Sequence, residues 1–374
     1  MGSRVQVTPL TDIDLRELAD IQADHDCFLS VYLPSANAHD LDGNSAFLRK
    51  RVEAIRTALD GEVEREFERT WASLGEGLQH EPVPREKGRV VFVSACEDFF
   101  RTYRLPVTVE RKLVLDNSPY ILPLTELLDD HEDYGIILMD LQRAVFYQVR
   151  STMMERTESA SIDLMNRHKK GGMSQKRFNR LRRGQVDAFI DEVIEDLDRQ
   201  EDLGSLRGLV VAGPGEAKTL LMDTLPPRYA KKVMGLVDVD MDVHRADLLA
   251  RAERLAMADE VSDEELAVEA LRRAIFKDEL AAVGMADTRS SLVMGRVATL
   301  LLVEDLEAMG WVCETCKAFA EGPGECPRCG GNLSAADLVN ELVEMAERTD
   351  AEVQHVKASP FLESIGGVAA ILRY

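Results

Sequence analysis

Two pairs of cysteines, Cys313-Glu-Thr-Cys316 and Cys326-Pro-Arg-Cys329, stand nine residues apart and are followed at once by Gly330-Gly331. A C-x2-C turn aims both of its thiolates at one point, and two such turns supply the four sulfurs of a tetrahedral site. Closed coordination leaves no position for a substrate water. The expected chemistry is therefore structural: a Zn2+ ion held by Cys313, Cys316, Cys326 and Cys329, with iron the chief competitor for four sulfurs. The corresponding zinc-ribbon insertion spans about 311–332. The other two of the six cysteines, Cys27 and Cys96, stand alone in apolar, strand-like runs and are expected as separate core residues. This arithmetic is metal binding rather than a disulfide framework, and it fits a reducing compartment.

The second run with chemical potential is HKKGGMSQKRFNRLRR, residues 168–183. With the residue before it, it gathers eight cations, Arg167, Lys169, Lys170, Lys176, Arg177, Arg180, Arg182 and Arg183, and no acid, in a chain of formal net charge -22. A balance of 45 basic against 67 acidic residues argues against broad adhesion to nucleic acid or anionic membrane. A polyanion must be met locally. Helical spacing from Ser174 puts Lys176, Arg180 and Arg183 on one face, and Gly171 and Gly172 allow close backbone approach just before it. The expected RNA contact comprises His168, Lys169, Lys170, Gly171, Gly172, Met173, Ser174, Gln175, Lys176, Arg177, Arg180, Arg182 and Arg183, each neutralised phosphate adding to the salt dependence of binding. A solvated basic helix paired with the chain's own carboxylates is the competing reading.

Periodicity supplies the elements that would hold these residues. CFLSVYLP from Cys27 and GRVVFVS over 88–94 read as buried strands, with a further strand over 103–115. Apolar residues three to four apart from Asn44 to Leu78, interrupted at Gly61, read as a helix pair. YGIILMD and RAVFYQV form a hairpin about Leu141-Gln142, and Gln185 to Leu203 has helical spacing. GLVVAGPGEAK reads as a buried strand ending in a Gly-Pro-Gly turn; it lacks the terminal Gly-Lys-Ser/Thr of a phosphate-binding loop. Asp238, Asp240 and Asp242 alternate as on a solvated edge strand, and an acidic helix follows from about Val243 to Leu280. In the last third GRVATLLLVEDL reads as a strand, AADLVNELVEMAERT as a helix and AEVQHV as a closing strand. The expectation is an α/β multidomain chain of three domains, 1–132, 133–262 and 263–374. No stretch approaches the length that crosses a bilayer, so no membrane is expected as partner and the expected location is cytoplasmic.

GGMSQKRFNRLR resembles the signature loop of the archaeal and eukaryotic class-1 peptide release factors, Gly-Gly-Gln-Ser followed after two residues by Arg-Phe-x-Arg-Leu-Arg. Gly171, Gly172, Ser174, Arg177, Phe178, Arg180, Leu181 and Arg182 fall on the matching positions. Gly208-Leu-Val-Val-Ala-Gly213 with Lys218-Thr219 is similar to the family's middle-domain strand and turn. Phe361 and the run from Ile365 to Tyr374 are similar to its C-terminal signature. The resemblance implies a middle domain similar to ribonuclease H in fold, and a C-terminal domain similar to the ribosomal proteins that bind kinked RNA.

Departures from the family shape the functional expectation. Its glutamine is Met173 here, and a thioether has no donor with which to position water or stabilise developing charge. Where the family reads stop codons there are only Gly43-Asn44-Ser45 and Asp116-Asn117-Ser118-Pro119-Tyr120. A relative with these losses resembles the Pelota rescue proteins and, most of all, the Balon-type ribosome hibernation factors. That resemblance implies a monomer that enters the ribosomal A site without codon reading, reaches rRNA of the peptidyl-transferase centre, works with a translational GTPase of the elongation-factor type, and is not an enzyme. The alternatives are a peptidyl-tRNA hydrolase acting through Gln175 or another group, and an RNA-binding scaffold independent of ribosomes.

Overall fold

The computed structural model describes residues 7–78, 82–161, 173–199, 206–277, 280–313, 315–320 and 322–374. The chain gathers into two compact units, Met1–Asp130 with Glu264–Tyr374, and His131–Asp263.

The first segment begins with α1 (Leu15–Ala19), capped by Asp14, whose carboxylate accepts from the Glu17 amide at 2.8 Å. Strand β1 (Phe28–Pro34) is buried along its whole length, which is why it reads as an unbroken apolar run. Helices α2 (Ala38–Ala58) and α3 (Gly61–Leu78) follow, then β2 (Gly88–Ser94), β3 (Phe99–Leu105), β4 (Lys112–Asp116) and α4 (Leu122–Asp130). The sheet order is β3-β2-β1-β4, antiparallel throughout. One face, with Leu29, Val31, Val91 and Val93, packs on Val52 of α2 and Phe67 and Leu74 of α3. The strand expected over 103–115 is in fact two strands on opposite edges of this sheet. Pro106, just past the end of β3, has no N–H to continue a ladder, and the chain leaves for the far edge there.

A second correction concerns Cys27 and Cys96, which are joined by a disulfide and are not separate core residues. The antiparallel register Leu29↔Val93, continued outward, brings the residue before β1 opposite the turn after β2. Sequence spacing of 69 residues gives no hint of this meeting.

The second unit contains β5 (Tyr134–Met139), β6 (Arg143–Arg150), β7 (Met153–Ser161), α5 (Met173–Arg199), β8 (Leu209–Ala212), α6 (Ala217–Thr224), α7 (Pro227–Ala230), β9 (Val233–Val237) and the first part of α8 (Arg245–Phe276). Its sheet runs β7-β6-β5-β8-β9: an antiparallel meander from β5 to β7, with β8 and β9 parallel to β5. Helices α5 and α6 cover one face through Phe189, Ile190, Val193 and Leu221, and α8 covers the other through Leu248 and Ala252. Edge strand β7 carries MMERTESAS, whose polar run gives no strand signal; it is ordered by pairing with β6. Asp238, Asp240 and Asp242 are not on a strand. The strand β9 ends at Val237, because its partner β8 ends at Ala212, and the acids lie in the connection to α8.

The last segment returns to the first unit with β10 (Ala281–Val283), α9 (Gly284–Val293), β11 (Val297–Val303), β12 (Met309–Cys313), β13 (Phe319–Ala320), β14 (Leu333–Asp337), α10 (Leu338–Arg348), β15 (Glu352–Val356), α11 (Pro360–Ser364) and β16 (Val368–Leu372). Its main sheet is β10-β16-β11-β15, with only β11 and β15 parallel; β13-β12-β14 form a separate small sheet. Helix α10 is buried from Val339 to Ala346, because it lies between the main sheet and the first segment. One core therefore joins Tyr32, Val90, Leu105 and Ile121 to Leu300, Leu342, Val343 and Ala370. No helix among the described residues is long and apolar enough to cross a membrane.

Candidate functional site

Helix α5 has 27 residues and is about 40 Å long at 1.5 Å per residue. Its buried stripe is Val186, Phe189, Ile190, Val193 and Leu197, spaced three and four apart against Leu209, Val211 and Leu221. The same period carried toward the N-terminus falls on Arg182, Asn179 and Gln175, all polar, so the apolar stripe stops at Val186. The first three turns thus form a cationic stem with Met173 as its first helical residue. Lys176, Arg180 and Arg183 share one face of it, and Arg183 is exposed. His168, Lys169, Lys170, Gly171 and Gly172 lie outside the described residues. For Met173, Ser174, Gln175, Lys176, Arg177, Arg180 and Arg182 the helical backbone is described.

The four cysteines come together. Their sulfurs lie within 4.8 Å of one another, with Cys313 and Cys329 at 3.4 Å and Cys316 and Cys326 at 3.6 Å. Four sulfurs at about 2.3 Å from one Zn2+ would stand about 3.8 Å apart, so the cage fits such an ion. Two equivalent knuckles build it. In the first, the Lys317 amide donates to the Cys313 carbonyl at 2.9 Å and the Cys316 amide donates to the Cys313 sulfur at 3.4 Å. In the second, the Gly330 amide donates to the Cys326 carbonyl at 2.8 Å and the Arg328 amide to the Cys326 sulfur at 3.4 Å. The fourth residue past each first cysteine has left-handed backbone, φ 54° at Lys317 and 73° at Gly330. A Cβ at Gly331 would lie 2.6 Å from Thr315 Oγ1 and 3.2 Å from the Cys313 sulfur, which is why a glycine follows the second pair. The amide bond from Cys316 pulls the Cys313 thiol down to about 6, toward the thiolate that a metal requires.

Sequence reading missed Arg289 of α9, which clamps the first knuckle. Its Nε donates to the Lys317 carbonyl at 2.6 Å and its Nη2 to the Cys316 carbonyl at 3.2 Å, while the guanidinium sits 5.2 Å from the Phe319 ring centroid. Burial pulls this guanidinium's pKa down. An arginine 24 residues before the first cysteine carries no spacing signal.

The other candidates have structural employment. Asn44 lies inside α2, where its Nδ2 donates to the Pro34 carbonyl at 2.7 Å and its Oδ1 accepts from Arg111 Nε at 2.9 Å. The Gly213-Pro214-Gly215 turn is plugged by the buried Lys218, which donates to the carbonyls of Gly213 and Gly215 and pairs with Asp238 at 2.8 Å. Gly213, at φ 141°, has no room for a Cβ, which would fall 1.8 Å from the Met139 carbonyl. The turn closes on the end of β5.

Residues 119–257 match the family model described as "Bacterial archaeo-eukaryotic release factor family 10", and residues 261–374 match "eRF1 domain 3". Peptide chain release factor subunit 1 of Pyrococcus abyssi is 25% identical over 405 aligned residues, 96% of each chain. That of Methanopyrus kandleri is 32% identical over 258 residues, covering 66% of this chain and 60% of the relative. Among solved structures, the crystal structure of the archaeal translation termination factor aRF1 matches at 21% identity over 96% of each chain, with a TM-score of 0.29.

Proposed function

We propose that this chain, a member of the archaeo-eukaryotic release-factor superfamily, is a ribosome-binding factor that acts without hydrolysing peptidyl-tRNA. The observation that carries this reading is α5: a helix whose described buried stripe runs from Val186 to Leu197 and whose first turns, from Met173, carry a sequence of cations at the place where the release factors have their catalytic glutamine. Cations segregated on a protein of net charge -22 favour one localised contact with an RNA backbone. An A-site occupant of this kind would hold Arg177, Arg180, Arg182 and Arg183 against rRNA phosphates leading toward the peptidyl-transferase centre. Asn44, bonded to the Pro34 carbonyl and to Arg111, is engaged within its own segment, which supports occupancy without codon reading. A role in ribosome hibernation of the Balon type, or in the handling of stalled ribosomes, follows from occupancy without release.

The fold of each part supports the same reading. The order β7-β6-β5-β8-β9, meander followed by two parallel strands, is what a ribonuclease-H-like middle domain would have. A mixed four-stranded sheet packed by helices supports a C-terminal domain similar to the ribosomal proteins that bind kinked RNA. Cys313, Cys316, Cys326 and Cys329 would hold a Zn2+ that fixes the small sheet, supplying rigidity and no reaction step. The partners of this reading are the ribosome and a translational GTPase, and its place is the cytoplasm.

Sedimentation of purified protein with ribosomes at two salt concentrations tests the proposal. Co-migration at low salt, weakened at high salt, is expected; absence of co-migration at low salt ends it.

A further inference from the structure

Three segments converge at one end of the first sheet. Cys27 leads into β1, Cys96 lies in the turn after β2, and a ring nitrogen of His25 falls within 4.8 Å of both sulfurs. Helix α3 forms the third wall. The Glu66 carboxylate bonds Nε2 of His25, and Thr70 Oγ1 accepts from the Ala95 amide at 3.1 Å, which pins the turn that carries Cys96. Ser94 Oγ stands 3.3 Å from the Cys27 sulfur and 3.0 Å from the Cys96 sulfur.

A structural crosslink has no use for an imidazole held by a carboxylate. A metal site does: the carboxylate fixes the ring and raises its basicity as a ligand, and a serine hydroxyl beside thiolates steadies their charge. Two sulfurs and an imidazole are a donor set suited to Zn2+. We propose that Cys27, Cys96 and His25 form a second Zn2+ site, assembled when the Cys27–Cys96 disulfide is reduced and dismantled when it re-forms.

The chemistry balances. A thiol reductant gives two electrons and two protons, the sulfur–sulfur bond breaks, and two thiols result; Zn2+ then displaces both protons to solvent. In the reverse direction a peroxide takes two electrons from the bound thiolates and two protons from solvent, leaving as water while the disulfide re-forms and Zn2+ departs. The sulfurs must separate to about 3.8 Å, the edge of a tetrahedron with Zn–S bonds of about 2.3 Å. Cα atoms 6.6 Å apart allow this by side-chain rotation. With Glu66 engaged on Nε2 of His25, the three protein ligands leave the fourth position to water, so the site is open where the four-cysteine site is closed. In a reducing compartment the loaded form is the resting one.

The test uses full-length protein, reduced with a phosphine, incubated with zinc chloride, desalted without oxygen and assayed for metal by mass spectrometry. Wild type is expected to hold roughly two zinc ions per chain, and His25→Ala and Cys96→Ser roughly one each, given one ion per tetrahedral site. Limited peroxide should release one ion while peptide mapping shows Cys27 linked to Cys96. Because His25 is exposed, its alanine variant does not depend on repacking a core. In Co2+-loaded wild type the second ion should add roughly half the thiolate-to-cobalt absorption of the first, two sulfurs against four. One ion per reduced wild-type chain, or two in both variants, would overturn the proposal.

Discussion

The hydroxyl of Ser118 donates to the carboxylate of Glu344 across 2.7 Å, joining residues 226 apart in sequence, both buried. Asn340 Nδ2 donates to the same oxygen at 2.9 Å, Arg348 Nη2 reaches the other at 2.7 Å, and Asn340 Oδ1 accepts from the amides of Ile121 and Leu122, each at 3.1 Å. The first and last segments of the chain are thus fastened through one polar cluster on α10. Cutting it from one side, as Ser118→Ala does, should cost about 0.5–1.5 kcal/mol, the usual net worth of one hydrogen bond, since Asn340 Nδ2 still donates to the same oxygen. Urea unfolding monitored by Trp fluorescence reads this, and an unchanged midpoint would contradict the fastening.

Burial, with the Glu341 carboxylate beside it, pushes the Glu344 carboxyl up to about 8, and burial pushes Asp116 up to about 7. Unfolded, these groups titrate near their ordinary values of 4.5 and 3.8, so between those values and their folded ones the native chain holds extra protons. Their contribution to stability is complete below about pH 4 and is lost as pH rises through about 7 and 8. Melting temperature should therefore fall from about pH 4 to about pH 8 and level off above it, and the fall should shrink in Glu344→Gln, which mimics the protonated form. A fall of the same size in that variant would assign the pH dependence elsewhere.

The knuckle geometry makes metal retention sensitive to residues that are not ligands. Gly331→Ala forces a Cβ to within 2.6 Å of Thr315 Oγ1, and Arg289→Ala removes two hydrogen bonds to the first knuckle. Losses of about 10- to 100-fold in affinity are usual when such supporting groups are removed. Zinc release to a chromophoric chelator should be faster in both variants than in wild type; equal rates would show that the four sulfurs suffice.

For the cationic stem the expectation is graded. Each of Arg177→Ala, Arg180→Ala, Arg182→Ala and Arg183→Ala that removes a phosphate contact should lower the slope of log affinity against log salt by about 0.7–0.9. A slope unchanged in the quadruple variant would put the RNA contact on another surface.

Met173 bears on catalysis. Ribosomes carrying labelled peptidyl-tRNA should release peptide at background rate with wild type and with Gln175→Ala alike. Met173→Gln restores an amide at the family position and should raise the rate by about tenfold or more, since a single positioned donor is worth roughly 10²–10³ at such centres. A wild-type rate above background that Gln175→Ala abolishes would make the chain a hydrolase.

Legibility followed locality. β1, β2, the β5–β6 hairpin and α8 were readable because an apolar period or a turn residue lies within each. The four-cysteine cage was readable because both knuckles are contiguous in sequence, Lys317 and Gly330 closing equivalent turns. What depends on distant pairing was not. Strand β7 exists only against β6, the Cys27–Cys96 bond arises from a register between strands, and Arg289 reaches the knuckle from a separate helix. Asp238 alternates like a strand residue, yet ends opposite Lys218 because the neighbouring ladder has stopped.

The most direct measurement replaces Met173 with a photo-reactive amino acid and maps the crosslinks formed on intact ribosomes. Adducts are expected on large-subunit rRNA at the peptidyl-transferase region, reduced when Arg177, Arg180, Arg182 and Arg183 are neutralised. Crosslinks confined to the small subunit, or to the protein itself, would contradict that placement.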